Sequence, residues 1–207
     1  RINHVLTYQT AGGDLRLYVS VTDEGLFYSD DQGESWNRQV IEGVSRLSVR
    51  NLMDAGGVLM VRGYQQAEGY FNEILLVSDD EGLSWEATQI NNGVADISKV
   101  ISHPETGLRI GVGNYYYNDG MTVAEPGINY SYDGLEWQRI ESFEVSEGGT
   151  DFNRVEMMSL EYSNGRWLAA GYGGSRSVVA QSYNGIDWNL LYTSTDSDAL
   201  IKVATNC

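Results

Sequence analysis

Ser29-Asp30-Asp31-Gln32-Gly33-Glu34-Ser35-Trp36 returns as Ser78-Asp79-Asp80-Glu81-Gly82-Leu83-Ser84-Trp85. A form one residue shorter follows as Ser131-Tyr132-Asp133-Gly134-Leu135-Glu136-Trp137 and as Ser182-Tyr183-Asn184-Gly185-Ile186-Asp187-Trp188. The four serines stand 49, 53 and 51 residues apart. A near-constant period of this size means one supersecondary unit repeated and stacked, so the motif decides architecture before function.

Around each motif lie four short runs rich in Val, Ile, Tyr and Leu, bounded by Gly, Asn and Asp, which is the signature of strands. The first unit has His4 to Tyr8, a Gly12-Gly13 turn, Leu15 to Val21, Leu26 to Tyr28, and a run from Trp36. The others repeat it around Gly56-Gly57, Gly107 and Asn164-Gly165. No segment carries a sustained helical period. The expected fold is an all-β β-propeller of four-stranded antiparallel blades, because four strands per repeat of about 50 residues suit blades around an axis. Blades are expected at roughly 1–42, 43–93, 94–147 and 148–195, as a single propeller domain or fragment. Residues 196–207 read as the first strand of a fifth unit (Ala199 to Ala204), so the reading expects a piece of a larger propeller. Position 1 is Arg rather than Met, which supports an excised or processed chain.

The motif has a mechanical reading. An aspartate in a hairpin loop accepts bonds from its own backbone N–H groups. Glycine supplies the positive φ that other residues resist. The serine hydroxyl ties to the same loop, and the tryptophan is expected to turn inward and cover apolar surface between sheets. Ser29, Asp31, Gly33 and Trp36 take these parts first, then Ser78, Asp80, Gly82 and Trp85. Ser131, Asp133, Gly134 and Trp137 follow, and Ser182, Asn184, Gly185 and Trp188 close the series. Asn184 keeps the acceptor without the charge. The expected role is structural, with no catalytic residue among them.

Composition narrows the partners. Twenty-nine Asp and Glu against 13 Lys and Arg give a formal charge of −16, which argues against nucleic acid, since phosphate binding needs clustered cations. No apolar run approaches the roughly 20 residues of a membrane-spanning helix, so no membrane insertion is expected. The single cysteine, Cys207, leaves no disulfide to close within the chain.

At these motifs the sequence resembles the Asp-box (bacterial neuraminidase repeat) proteins, whose box lies on the turn between the third and fourth strands of propeller blades. The resemblance covers nearly the whole chain and implies the fold more than the activity. Sialidases, xyloglucan-cleaving hydrolases, sortilin-type receptors and bacterial surface proteins share it. The sialidase branch implies an Arg-Ile/Leu-Pro motif, three arginines on a carboxylate and a tyrosine–glutamate pair. Here the only prolines, Pro104 and Pro126, follow His103 and Glu125, so that motif is missing.

Ligand contacts are expected on the face away from the boxes, where the second and third units carry longer connections between strands two and three. Those stretches hold Tyr64, Tyr70, Tyr115, Tyr116 and Tyr117, with Asp119 and Arg154 as polar partners. Loops rich in Tyr and Asn suit recognition, and aromatic rings suit stacking on sugars. The competing reading is that these tyrosines extend long strands. The leading expectation is a secreted, periplasmic or cell-surface propeller that binds a glycan or protein partner. Other chains or further segments would complete its ring. A glycoside hydrolase, sialidase-like or endo-acting, is the alternative, and an assembly subunit the third. No cofactor or metal is expected, with calcium at the acidic linker from Glu141 to Asp151 as the weaker option.

Overall fold

The computed structural model describes residues 1–44, 46–67, 70–88, 96–114, 127–140, 155–173 and 176–194. Every element among them is a strand or a turn, and no helix is long and apolar enough to cross a membrane. Four antiparallel four-stranded sheets follow one another along the chain.

Sheet 1 holds β1 (Ile2–Gln9), β2 (Leu15–Val21), β3 (Gly25–Ser29) and β4 (Asn37–Arg38). Sheet 2 holds β5 (Leu47–Asp54), β6 (Leu59–Ala67), β7 (Tyr70–Ser78) and β8 (Glu86–Thr88). Residues 1–89 form one compact unit around these two sheets. Sheet 3 holds β9 (Asp96–Ser102), β10 (Arg109–Asn114), β11 (Ile128–Ser131) and β12 (Gln138–Arg139). Sheet 4 holds β13 (Val155–Ser163), β14 (Arg166–Gly173), β15 (Arg176–Ser182) and β16 (Asn189–Thr193). Residues 90–207 form the second unit.

The four sheets share one register. The four motif serines pair across the ladder with Leu17, Leu59, Arg109 and Trp167 on the second strands. Successive side chains point to opposite sides of a sheet, so β1 buries alternate residues, whereas Leu59, Met60 and Val61 of β6 and Ile74, Leu75, Leu76 and Val77 of β7 are buried on both faces. In the first unit Tyr8, Tyr18, Leu26, Val49, Leu59, Val61, Ile74 and Leu76 form the core between sheets 1 and 2. In the second, Leu108, Ile110, Ile128, Met157, Leu160, Trp167, Val178 and Trp188 do the same between sheets 3 and 4.

Two expectations change. The stretch from Tyr64 to Phe71, read as a loop insertion, is a paired hairpin: Tyr64 faces Glu73, Gln65 faces Asn72, Gln66 faces Phe71 and Ala67 faces Tyr70. Tyr and Phe favour the pleated ladder, and pairing satisfies backbone groups that an open loop would leave to water. Trp36 does not turn inward as expected, while Trp85 and Trp137 are half-buried. Trp36 is 42% exposed, whereas Trp188 is 3% exposed.

Candidate functional site

Among the described residues, the motif turns hold the most regular chemistry. In all four, the glycine N–H donates to the serine Oγ at 2.8 Å. Each serine hydroxyl then donates to the acidic or amide side chain, at 2.7, 2.8, 2.9 and 3.1 Å from first to last. Each indole N–H donates back to the glycine carbonyl. In the long form Asp31 also accepts from the Ser35 N–H and hydroxyl, and Asp80 from those of Ser84. In the short form Asp133 accepts from the amides of Leu135 and Glu136, and Asn184 from those of Ile186 and Asp187.

The one-residue difference between the forms has a conformational identity. Gln32 and Glu81, the extra residues, sit at φ of 60° and 63° directly before glycines that are also positive. The short turns have only their glycines in that region. The carboxylates respond to their donors. The Ser35 hydroxyl and amide and the Ser29 hydroxyl hold Asp31 down at about 2. Burial works against Asp80, yet its Ser84 and Ser78 bonds carry it below the ordinary carboxylate range. Burial likewise opposes Asp133, and the amides of Glu136 and Leu135 outweigh it. A carboxylate so saturated with donors is a poor base and a poor nucleophile.

The opposite ends of the sheets carry less saturated groups. There each first strand has a bulge where it pairs with the second, centred on Asn3, Arg50, Ser98 and Met158. A bulge leaves one residue outside the ladder and re-aims its side chain. In sheet 2 it sends the Arg50 guanidinium over the Tyr64 ring, 5.3 Å from the centroid. On the same face Arg62 is bonded to Glu73 at 2.6–2.8 Å, and the Arg46 guanidinium donates to Gln66 at 3.0 Å. Gly63, just before Tyr64, lies against the bulge: a Cβ there would stand 2.4 Å from the Ser48 carbonyl oxygen.

Sheet 4 repeats this arrangement with different chemistry. Gly171 lies against its own bulge, where a Cβ would meet the Glu156 carbonyl. Tyr172 follows it at the position of Tyr64, and its hydroxyl donates to the Glu156 carboxylate. That bond raises the Tyr172 hydroxyl above its ordinary value, with burial adding to the shift.

Of the sequence-predicted contacts, Tyr64 is placed in this cluster. Tyr70 is placed only as backbone, at the start of β7. Tyr115, Tyr116, Tyr117, Asp119 and Arg154 lie outside the described residues, as do the acidic linker and the strand expected from Ala199. Arg50, Glu73, Glu156 and Tyr172 are additions from the structure. The signal that finds Tyr172 is in the sequence: Gly63-Tyr64 and Gly171-Tyr172 stand at the same repeat position. Among the described residues, no three His, Cys, Asp or Glu gather to hold a metal. His103 is a structural residue: its Nδ1 accepts the amides of Glu105 and Thr106, which leaves Nε2 to donate to Tyr162 at 2.7 Å.

No family model and no curated protein matches the sequence. Solved structures do. A Trypanosoma rangeli sialidase in complex with 2,3-difluorosialic acid aligns with TM-score 0.51 and 14% identity, over 92% of this chain and 37% of its own. A GH74 xyloglucanase from Xanthomonas campestris aligns with TM-score 0.49 and 14% identity, over 89% of this chain and 32% of its own. The chain thus spans about a third of the length of these two proteins. At such identity the likeness concerns fold alone, and it identifies the four sheets as β-propeller blades.

Proposed function

We propose that the chain is an Asp-box propeller that binds a glycan or protein partner outside the cytoplasm, through the sheet ends opposite the motif turns. The observation that supports this most is the bulge-aimed Arg50 over Tyr64: a bulge, a close-packed glycine and an aromatic ring spend local regularity to present one cation–aromatic pair. Aromatic rings with adjacent polar groups suit the two-faced character of sugars and of many protein partners. The motif carboxylates take no part, being consumed by their own turns. Tyr70, Tyr115, Tyr116, Tyr117, Asp119 and Arg154 extend the proposed contact surface.

The test is titration calorimetry against sialoside and β-glucan oligosaccharides, with Arg50→Ala and Tyr64→Ala variants. Each variant is expected to weaken binding by about tenfold, the loss of roughly 1.4 kcal/mol. Unchanged affinity in both removes the assignment.

The second reading is a glycoside hydrolase, and the Tyr172–Glu156 hydrogen bond favours it, since a carboxylate bonded to a phenol is a base positioned at a nucleophile. Turnover of those oligosaccharides that Tyr172→Phe and Glu156→Gln both abolish would replace the binding reading with this one.

A further inference from the structure

The chain contains three Asn-Gly pairs, Asn92-Gly93, Asn164-Gly165 and Asn184-Gly185. The first lies outside the described residues. The structure treats the other two in opposite ways, and we infer that Asn164 is a site of spontaneous covalent modification, deamidation through a cyclic imide, while Asn184 is protected.

The chemistry requires three things of the local structure. The amide nitrogen of the following residue must be free to lose its proton and attack. The asparagine side-chain carbon must be free to rotate toward it. No Cβ on the following residue must block the approach. At Asn164 all three hold. Asn164 and Gly165 form the exposed two-residue turn between β13 and β14, with Ser163 paired to Arg166 and φ of 53° and 72°. Neither the Asn164 side chain nor the Gly165 N–H has a hydrogen-bond partner among the described residues. Space around Gly165 is open, with nothing within 4 Å of a Cβ built there.

At Asn184 the following residue is also glycine, but the first two requirements fail. The would-be nucleophile, the Gly185 N–H, donates to Ser182 Oγ at 2.8 Å. The Asn184 carbonyl oxygen accepts from the Ser182 hydroxyl and from the amides of Ile186 and Asp187. Its Nδ2 donates to the Asp187 carboxylate at 2.7 Å. The side chain is therefore held at both ends, and the leaving group is held with it.

The step balances with water as the co-reactant. The deprotonated Gly165 nitrogen forms a bond to Asn164 Cγ, and the Cγ–Nδ2 bond breaks, releasing ammonia and leaving a five-membered imide. Water then opens either ring carbon–nitrogen bond and returns a proton to nitrogen. Attack at the main-chain carbonyl gives isoaspartate, and attack at the side-chain carbonyl gives aspartate. Isoaspartate lengthens the backbone by one methylene inside a two-residue turn. The next pair beyond Ser163–Arg166 is Tyr162–Trp167, whose rings lie 4.6 Å apart beside His103. The modification therefore acts on the aromatic cluster at the seam between sheets 3 and 4.

The experiment is ageing of the intact protein at mildly alkaline pH and body temperature, followed by peptide mass spectrometry and enzymatic isoaspartate labelling. Peptide mapping reads each Asn-Gly pair separately. The Asn164 peptide is expected to convert at least about tenfold faster than the Asn184 peptide, because an ordinary pair of hydrogen bonds must open before Asn184 reacts. Two controls sharpen it. In denaturant the two rates should become comparable, and Ser182→Ala should accelerate Asn184 in the folded protein. A folded-state Asn164 rate equal to or below that of Asn184 would overturn the inference, as would an Asn164 peptide that converts only in denaturant.

Discussion

The seam between sheets 1 and 2 and the seam between sheets 3 and 4 solve one packing problem in two chemistries. In both, the motif turn of the later sheet settles against the second strand of the earlier one, at equivalent positions. In the first unit the strand offers Arg16 and Tyr18, and both donate to the carbonyl of Glu81, at 2.8 and 2.9 Å. The Glu81 carboxylate accepts the Ala11 N–H in turn. Arg16 is further held by Asp30 at 2.5 Å, which raises its already high affinity for a proton, and it lies over the Tyr28 ring. In the second unit the equivalent positions are Leu108 and Ile110, and Gly185 packs against them and against Trp167. Turn length explains the difference. Glu81 is the extra left-handed residue of the long form, and its carbonyl must find donors where the sheets meet. The short turn has no such residue, so apolar side chains suffice.

The largest expected effect lies on the apolar seam. Trp167 is fully buried there, and Trp167→Ala is expected to cost about 3–5 kcal/mol in denaturant unfolding, the range for emptying an aromatic core site. A loss below about 1 kcal/mol would mean that this seam does not hold the second unit together. Next comes deletion of Glu81, which gives the second turn the short length while Arg16 and Tyr18 stay in place. Stranding the buried Tyr18 hydroxyl is expected to destabilise by roughly 2–3 kcal/mol. Adding Arg16→Leu and Tyr18→Ile, the apolar solution of the other seam, should restore much of that loss. No recovery would separate turn length from strand chemistry.

Tyr18→Phe alone is a smaller step, about 1–2 kcal/mol, because Arg16 continues to serve the Glu81 carbonyl. Double-mutant analysis with Arg16→Leu should give a coupling well above zero, whereas additivity would show that the two donors act separately.

Acid distinguishes the units most gently. Asp31, Asp80 and Asp133 titrate below their unfolded value, so their contribution is complete above about pH 4 and fades as pH falls through the folded values, about 2 for Asp31. The first unit carries two such turns. The second carries one, since Asn184 has no proton to gain. Amide exchange between about pH 4 and 2 should open Ser35, Ser84 and Glu136 before Asp187. Simultaneous opening of all four would assign acid sensitivity elsewhere.

The strands, the hairpin turns and the four motifs were legible because each is a local matter of residue type and spacing. Every motif bond joins residues within four positions, so the octet contains its own explanation. Contacts that cross the sheets were not legible. Arg16 meets Glu81 across 65 residues, and nothing near either one announces the other. The candidate site fell between these cases. Tyr64 could be singled out by type, but Arg50 reaches it only because a bulge follows Val49, and the mark of that bulge is Gly63 on the partner strand. The inward expectation for Trp36 failed for a related reason. A motif fixes the bond from indole to glycine, while burial of the ring depends on what packs outside it.

That graded burial of otherwise identical tryptophans gives the protein a built-in optical label. Each motif indole is bonded to the same kind of carbonyl, so solvent contact is the main variable among them. Trp36, in the first unit, should emit at the red edge of the spectrum, and Trp188, in the second, at the blue edge. Melting followed across the emission band therefore reports the two halves at different wavelengths, without any added dye.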